Sequence, residues 1–576
     1  MKFNMIKCED NRHYLGMLLI FLVYLTSLLI VRPWANIPLN DDWVYARDCA
    51  TLASRGHLIL TGFESAWALP QIIIGSMVTN IFGFSHLILR AVGVVSLAAV
   101  ALMTDTYLRY VQVSSTVRLI VCATLIYNPV SYILSLSFMT DLPFLFFWLL
   151  ACFCWDQALV TGKQSWLISA TVATIIAMAE RQFALLIPVS VSLLLLLHWV
   201  QAPCGTYLHA NWTTAPSKLR GMFILLMAVI VVSFALIAVW IYYQINFLPP
   251  LVNTVQPALA SIPASTSPFA FAFAGLKFAF KIPLFLALSS LPLILVLDRP
   301  ASNARLRMIG TGITTIIFLI ILYLMLDAEF PLFGTLISQY GFSKANALLL
   351  GIRPPIFGSV SNRLMIALAG VGLALFIPRL IPMACSWVKT TPIGLNIDGN
   401  GTGITNTENN KFGFLLITSS LLYLLVIILR LVYFDRYFLM ALPGIWVMAS
   451  KSGILNSSMR NILATACIAV FAGMSITLAH DYFRWNEARW SAAEKLVHSG
   501  IRASSIHAGY EWNGWVVGKE AVPPKNLMNY DYVVAFSPEI EGYQEIDYVP
   551  WQSIWLPHDR KIYILKRVIF DPDKDH

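Results

Sequence analysis

Two adjacent carboxylates, Asp41 and Asp42, follow the first long apolar run of the chain. Like charges held side by side are unfavourable unless the two groups bind a metal ion or divide the roles of acid and base. Aspartate is also a good N-cap residue, so the pair would equally suit the start of a helix near Trp43. Taken alone, the pair supports catalysis and helix capping about equally.

Two further acidic residues are weaker candidates by themselves. Asp141 lies between two apolar runs with Pro143 close behind it, a pattern typical of a helix start. Glu64 precedes Pro70 in a polar and aromatic stretch, where a solvated loop glutamate is the simpler interpretation. Neither residue points to chemistry until its neighbours in space are known.

Two arginines stand next to acidic residues at breaks in apolar sequence. Glu180-Arg181 interrupts the apolar stretch 165–200, and Asp435-Arg436-Tyr437 separates two later runs. Ionisable residues at such depth usually face a cavity or a partner. Each acid could pair with the arginine beside it. Alternatively, Arg181 and Arg436 could hold a phosphate, which a guanidinium binds through two parallel hydrogen bonds.

The elements that position these residues are predicted to be membrane helices. The chain has 576 residues, of which 58% are hydrophobic and 12% charged, about half the charged fraction of a soluble chain. Apolar runs of roughly 20 residues, the length that crosses a bilayer, recur throughout. About thirteen transmembrane segments are predicted, near 14–33, 86–108, 117–137, 141–160, 165–179, 182–200, 219–246, 268–297, 308–326, 363–383, 412–433, 436–450 and 459–479.

An odd number of crossings places the two termini on opposite sides of the membrane. Lys and Arg are more frequent in the loops that would then be cytoplasmic together with the amino terminus. This orientation leaves three long outer segments: 34–85 with short surface helices, 327–362, and the tail 481–576. The tail is expected to be a small soluble α/β domain with a helix over 485–498 and strands at 532–536 and 561–565, and residues 1–480 form the membrane domain.

Under this orientation the candidate residues gather at the outer face. Carboxylates beside cations there predict a site for an anionic lipid-linked substrate and a hydroxyl or amine acceptor. The residues concerned are Asp41, Asp42, Glu64, Asp141, Arg181 and Arg436.

Composition also argues against other classes of protein. The net charge of +9 comes from Lys and Arg scattered at the ends of apolar runs, not from a basic stripe, so no nucleic-acid partner is predicted. The eight cysteines lack the spacing of a metal or disulfide framework, and most lie inside apolar runs.

The order and spacing of these motifs over about residues 14–450 resemble the membrane glycosyltransferases of the GT-C fold. The resemblance is to the branch that contains protein O-mannosyltransferases and the bacterial aminoarabinose transferases that modify lipid A. It rests on Asp41-Asp42 after the first segment, Glu64 before Pro70, Asp141, Arg181-Gln182, and Asp435-Arg436-Tyr437 with Pro443. It implies an all-α polytopic membrane protein with a small C-terminal α/β domain in a bacterial inner membrane.

The resemblance also implies an activity. The expected donor is a polyprenyl-phosphate sugar and the acceptor a lipid, glycan or protein. Asp41 is the expected general base, with Asp42 as the competing choice and Asp141 positioning the acceptor or a metal ion. Arg181 and Arg436 would bind the donor phosphate, and Glu64 is assigned to metal or acceptor positioning. No cofactor is assigned, although a divalent metal ion stays open.

The chain departs from that branch after Glu64, where Ser65-Ala66-Trp67 replaces the usual Lys and prolines. Lys344 or Arg353 in the later outer loop is the candidate to replace this phosphate-binding lysine. The main alternative function is a transporter or flippase of a lipid-linked sugar, for which Lys277 and Lys281 within a predicted segment are the best support. A lipid-linked polysaccharide polymerase or ligase is a second alternative, and a membrane scaffold a third.

Overall fold

The computed structural model is mainly helical and describes most of the chain. The described residues are 2–58, 60, 63–201, 230–231, 234–235, 238–239, 242, 281–297, 312–314, 330–342, 349–389, 396–397, 404–405, 413–430, 434–450, 457–518, 527–556 and 560–568. The helices are α1 (Lys2–Val31), α2 (Asp42–Arg55), α3 (Leu69–Phe82), α4 (His86–Tyr110), α5 (Ser115–Tyr127), α6 (Pro129–Ser135), α7 (Asp141–Thr161), α8 (Gln164–Glu180), α9 (Leu186–Gln201), α10 (Leu291–Val296), α11 (Ser359–Lys389), α12 (Phe414–Arg430), α13 (Asp435–Phe438), α14 (Leu442–Ser450), α15 (Ser458–His498) and α16 (Tyr510–Trp512).

Five of the described helices are long and apolar enough to cross a bilayer, and the bent pair α5–α6 would make a sixth. They are Asn11–Val31, His86–Tyr110, Asp141–Thr161, Ser359–Leu380 and Ser458–His498. The prediction of a polytopic membrane protein is thus confirmed. The count of about thirteen stays a prediction, because segments such as 308–326 lie mostly outside the described residues.

The predicted segment 117–137 is broken in the middle. Pro129 has no backbone N–H to continue α5, so the chain turns by 62° between α5 and α6. The Asn128 side chain accepts a hydrogen bond from the backbone N–H of Val130 (3.0 Å) and starts α6. The break directs the following residues, 136–140, past the outer loop that carries Asp42.

The predicted outer segment 34–85 contains two short helices, α2 and α3, as expected. Glu180 at the end of α8 holds α3 in place. Its carbonyl accepts the Ala68 N–H (3.0 Å), and its carboxylate accepts the N–H of Gln71 (3.1 Å). The outer loop is therefore attached to the residue that directly precedes Arg181.

The C-terminal region contains a four-stranded sheet in the order β5-β6-β8-β7. The strands are β5 (Ile506–His507), β6 (Tyr532–Ala535), β7 (Tyr543–Trp551) and β8 (Arg560–Arg567). β5 and β6 are parallel, and β8 is antiparallel to both β6 and β7. The two predicted strands are confirmed. Earlier in the chain, β1 (Ile337–Ser338) pairs with β2 (Gly341–Phe342), and β3 (Asn396–Ile397) pairs with β4 (Ile404–Thr405).

The sheet and the membrane helices share one hydrophobic core. α15 runs without interruption from Ser458 to His498, through the predicted domain boundary at 480–481. Trp485 and Trp490 on its second half belong to the same buried cluster as the membrane helices and Ile562 of β8. The tail thus continues the core of the membrane region, and the division at 480 stays a prediction.

Candidate active site

Asp41 lies at the start of α2 and contacts Arg436. Asp41 occupies the N-cap position of α2, but its side chain makes no capping hydrogen bond. Instead its Oδ2 accepts a hydrogen bond from Nη2 of Arg436 at 3.3 Å, although the two residues are 395 positions apart. The Asp41 side chain is 39% exposed and that of Arg436 only 12%. A substrate can therefore reach the carboxylate while the arginine stays behind it.

A second aspartate–arginine pair is buried beside the first. Asp141 begins α7, as predicted, and its Oδ1 lies 3.1 Å from Nη2 of Arg181. The Arg181 Nε donates to the hydroxyl of Thr140 at 2.8 Å. Within the described residues, neither Asp141 oxygen makes a hydrogen bond of good geometry. The Asp141 carboxylate is thus held by charge and keeps lone pairs for a further donor.

Tyr437 joins the two pairs. The guanidinium carbon of Arg181 lies 5.9 Å from the centre of the Tyr437 ring, and that of Arg436 lies 5.8 Å from it. Asp141 and Asp41 are also the two carboxylates whose charges act most strongly on Arg436. We call Asp41, Asp141, Arg181, Arg436 and Tyr437 the Asp–Arg cluster.

The Asp–Arg cluster combines the groups needed for transfer from a phosphate leaving group. The formal charges of its two arginines and two aspartates cancel. Because each guanidinium is oriented by a carboxylate, an entering phosphate meets cations in fixed positions. Such preorganised cations stabilise charge that develops on a leaving oxygen. A partly exposed carboxylate beside them can accept a proton.

Asp42 has a structural role in this arrangement. Its side chain is buried, and its two oxygens accept backbone N–H groups from Leu39 (2.6 Å) and Phe138 (3.3 Å). Burial raises the pKa of Asp42 to about 8, although both hydrogen bonds and the charge of Arg90 oppose the shift. Asp42 therefore ties the outer loop to the segment after α6 instead of facing solvent.

Asp435 is not paired with the neighbouring Arg436. Its carboxylate accepts backbone N–H groups from four residues of the second outer loop and the Thr335 hydroxyl, with donor–acceptor distances of 2.9–3.2 Å. The backbone donors are Phe333, Thr335, Leu336 and Ile337. Asp435 thus fixes loop 330–342 next to the Asp–Arg cluster and leaves Arg436 to Asp41.

The remaining predicted residues are Glu64, Arg353, Lys344 and Lys277. Glu64 is fully buried, not solvated, and the neighbouring Ser65 hydroxyl lies 3.4 Å from that of Tyr45. Arg353 is buried against Trp485 (5.4 Å) and Phe536 (5.8 Å) in the C-terminal region. These contacts pack Arg353 between aromatic rings, and the phosphate-binding role considered for it stays a prediction. Lys344 and Lys277 lie outside the described residues.

Tyr45 and Thr140 also lie at the Asp–Arg cluster, although neither was predicted from the sequence. Tyr45 is buried one helical turn after Asp41, and the charges of Arg181, Asp41 and Arg436 all act on its hydroxyl. The spacing of four residues from Asp41 was the available signal, because positions i and i+4 share a helix face. Nothing local in the sequence distinguished Thr140.

The described carboxylates form no site that would hold a divalent metal ion by protein ligands alone. Such ions take six or more oxygen ligands, commonly from several carboxylates. Among the residues that the structure describes, no three His, Cys, Asp or Glu side chains are grouped as a metal site. Asp41 and Asp141 each face an arginine instead.

No protein-family model and no curated protein matches the chain. Similar solved structures include ArnT from Cupriavidus metallidurans in the apo state, at 11% identity and a TM-score of 0.35, covering 96% of this chain and 98% of that chain. The same protein bound to undecaprenyl phosphate matches at 10% identity and a TM-score of 0.34. That match covers 95% of this chain and 97% of that chain. A third match is the archaeal oligosaccharyltransferase AglB from Archaeoglobus fulgidus, in complex with an inhibitory peptide and a dolichol-phosphate. Its sequence identity is 12% and its TM-score 0.39, and the match covers 84% of this chain and 58% of that chain. Both proteins have the GT-C fold that the sequence resembles. At these identities and TM-scores, the similarity alone assigns neither an activity nor a substrate to this chain.

Proposed function

We propose that the chain is a membrane glycosyltransferase that moves a sugar from a polyprenyl-phosphate donor to an acceptor at the outer face of a bacterial inner membrane. The observation that carries the proposal is the Asp41–Arg436 contact. It places a solvent-accessible carboxylate beside a buried guanidinium, which in turn shares Tyr437 with Arg181. The proposed base and the two cations proposed to bind the donor phosphate thus lie together at the ends of apolar helices.

The proposed reaction is a single displacement with inversion. The acceptor oxygen or nitrogen attacks the anomeric carbon of the sugar, and its proton passes to the Asp41 carboxylate. The bond from the anomeric carbon to the phosphate oxygen breaks, and its electron pair leaves with the polyprenyl phosphate. Arg181 and Arg436 stabilise the charge on that phosphate. Asp141 orients the acceptor through the lone pairs that its contact with Arg181 leaves open.

The test uses the purified chain in detergent with radiolabelled polyprenyl-phosphate sugars and crude membrane acceptors. Asp41→Asn keeps the size of the side chain but removes the base. Since general base catalysis contributes about 10²–10⁴-fold, we expect transfer to fall by that factor while folding is unchanged. The matched control is Asp531→Asn, at an exposed residue of the C-terminal region that pairs with Arg567. We expect the control to transfer sugar at the wild-type rate.

The outcomes separate this proposal from the transporter alternative. Equal transfer by wild type and Asp41→Asn would keep the enzyme and remove Asp41 as its base. No transfer from any donor, together with movement of the lipid-linked sugar across liposome membranes, would overturn the glycosyltransferase and support a flippase.

A further inference from the structure

The motif Gly509-Tyr510-Glu511-Trp512-Asn513 in the C-terminal region has no role in the reaction proposed above. The structure packs it against α2, the helix that follows Asp41. The ring of Tyr510 lies 5.8 Å from that of Trp43, in an edge-to-face arrangement. A Cβ atom on Gly514 would lie 2.5 Å from Cε2 of Trp43, so the close approach requires glycine. The C-terminal segment is thus in direct contact with the start of α2.

The segment also holds the residue before Asp41. Asn40 has a left-handed backbone conformation (φ 53°), which is uncommon outside glycine. Its N–H donates to Oε1 of Glu511 at 3.0 Å. The second carboxylate oxygen of Glu511 is 2.7 Å from Nη1 of Arg489, and both side chains are fully buried. This ion pair fixes the backbone turn from which Asp41 projects.

Tyr510 also lies near the Asp41 side chain. Its ring is packed against Trp43, two residues after Asp41, and burial together with the negative charge of Asp41 raises the pKa of the Tyr510 hydroxyl well above its ordinary value. The hydroxyl therefore stays protonated near neutral pH and is a donor beside the Asp41 carboxylate. Arg436 donates to the same carboxylate from the membrane helices.

We infer that residues 509–514 complete the active site and that Tyr510 is a positioning residue for Asp41. The inference rests on the proposed role of Asp41 as the base. With Arg436 and Tyr510 both donating to it, the carboxylate is held in one orientation, and an oriented base is what proton abstraction requires. Tyr510 does not touch the reacting atoms and acts only through Asp41.

The first test is Tyr510→Phe, which keeps the ring against Trp43 and removes only the hydroxyl. Loss of one hydrogen bond to the base should lower kcat about 10-fold and leave the KM for the donor unchanged. Tyr548→Phe is the matched control, because Tyr548 is an exposed tyrosine of the same region. An unchanged kcat in Tyr510→Phe, or equal losses in both variants, would overturn the inference while the proposed function stands.

A second measurement tests the proposed contact between Tyr510 and Asp41 without an activity assay. Thermal unfolding in detergent is compared for wild type, Asp41→Asn, Tyr510→Phe and the double variant. If Tyr510 acts through Asp41, the shifts of Tm are not additive, since the second substitution removes an interaction that is already lost. Additive shifts of Tm would show that Tyr510 and Asp41 do not interact and would overturn the inference. No sugar transfer by the wild type would overturn the proposed function and the positioning role with it.

Discussion

Asp41 and Asp42 are neighbours with the same side chain, yet their surroundings differ. Asp42 is buried and accepts two backbone N–H groups, whereas Asp41 is partly exposed and faces Arg436. Only the partly exposed environment of Asp41 suits a base that must meet a substrate. Substitutions of the two residues should therefore have different consequences, on stability for Asp42 and on rate for Asp41.

The raised pKa of Asp42 predicts a pH-dependent stability. Its pKa rises from an ordinary 3.8 to about 8 on folding, mainly through burial. The folded protein therefore holds a proton that the unfolded chain releases in this range, and the free energy of unfolding falls as pH rises from about 4 to 8. We expect Asp42→Asn to flatten the decrease of Tm between about pH 5 and 8.

The matched control is Asp547→Asn. A hydrogen bond from Lys495 lowers the pKa of the exposed Asp547 carboxyl, so this residue does not titrate in the range measured. Its substitution should leave the slope of Tm against pH unchanged. The same slope in wild type and Asp42→Asn would contradict a proton held at Asp42.

At the scale of elements, single carboxylates hold the long connecting segments in place. Glu180 starts α3, Asp435 binds the backbone of loop 330–342, and Asp481 binds the backbone of Ile554 (2.8 Å) and Trp555 (3.4 Å). A carboxylate that accepts several N–H groups satisfies backbone donors that no helix or sheet would pair. The loops near the proposed site are thus ordered by side chains of the helices beneath them.

Asp435→Asn should loosen loop 330–342. The amide keeps one acceptor oxygen and loses the charge, and hydrogen bonds to charged groups contribute about 1.5–3 kcal/mol. The backbone amides of Phe333, Leu336 and Ile337 should then exchange with deuterium about 10- to 100-fold faster. Hydrogen exchange with mass spectrometry measures this.

Asp481→Asn serves as the comparison, since it should speed exchange at Ile554 and Trp555 and leave loop 330–342 unchanged. If exchange in loop 330–342 is the same in Asp435→Asn and wild type, Asp435 does not hold the loop.

At the scale of the whole molecule, the C-terminal region and the membrane helices share one buried core. α15 continues from the membrane into the C-terminal core, and the Glu511–Arg489 pair connects that core to Asn40. Because both partners of this pair are fully buried, removing one leaves an uncompensated charge inside the protein. Stability and the geometry of the proposed site should therefore be lost together.

Arg489→Leu is expected to lower the stability strongly. Breaking a buried pair by removing one partner costs about 3–5 kcal/mol, and the loss should appear as a large decrease of Tm in detergent. Arg567→Leu is the control, because Arg567 pairs with Asp531 where both side chains are 33% or more exposed. Exposed pairs contribute about 0–1 kcal/mol. Similar decreases of Tm in both variants would argue against a structural role for the buried pair.

Local sequence was sufficient to predict the elements. Apolar runs long enough to cross a bilayer predicted α4 and α7 within a few residues, because each run must satisfy its own backbone hydrogen bonds in lipid. Strand-like runs at 532–536 and 561–565 predicted β6 and β8. The prediction of Asp141 as a helix start was also local and is confirmed.

The tertiary structure decided which charged groups meet. From sequence, Arg436 could pair with the adjacent Asp435, and Asp41 and Asp42 were nearly equivalent. In the folded chain Asp435 binds loop backbone, Arg436 pairs with Asp41, and Asp42 is buried. These choices depend on how residues hundreds of positions apart pack and on which oxygen stays in contact with water. Spacing along the chain determines neither the packing nor the exposure of these groups. The choice of Asp41 over Asp42, and the position of Tyr510 beside it, therefore depend on the tertiary structure.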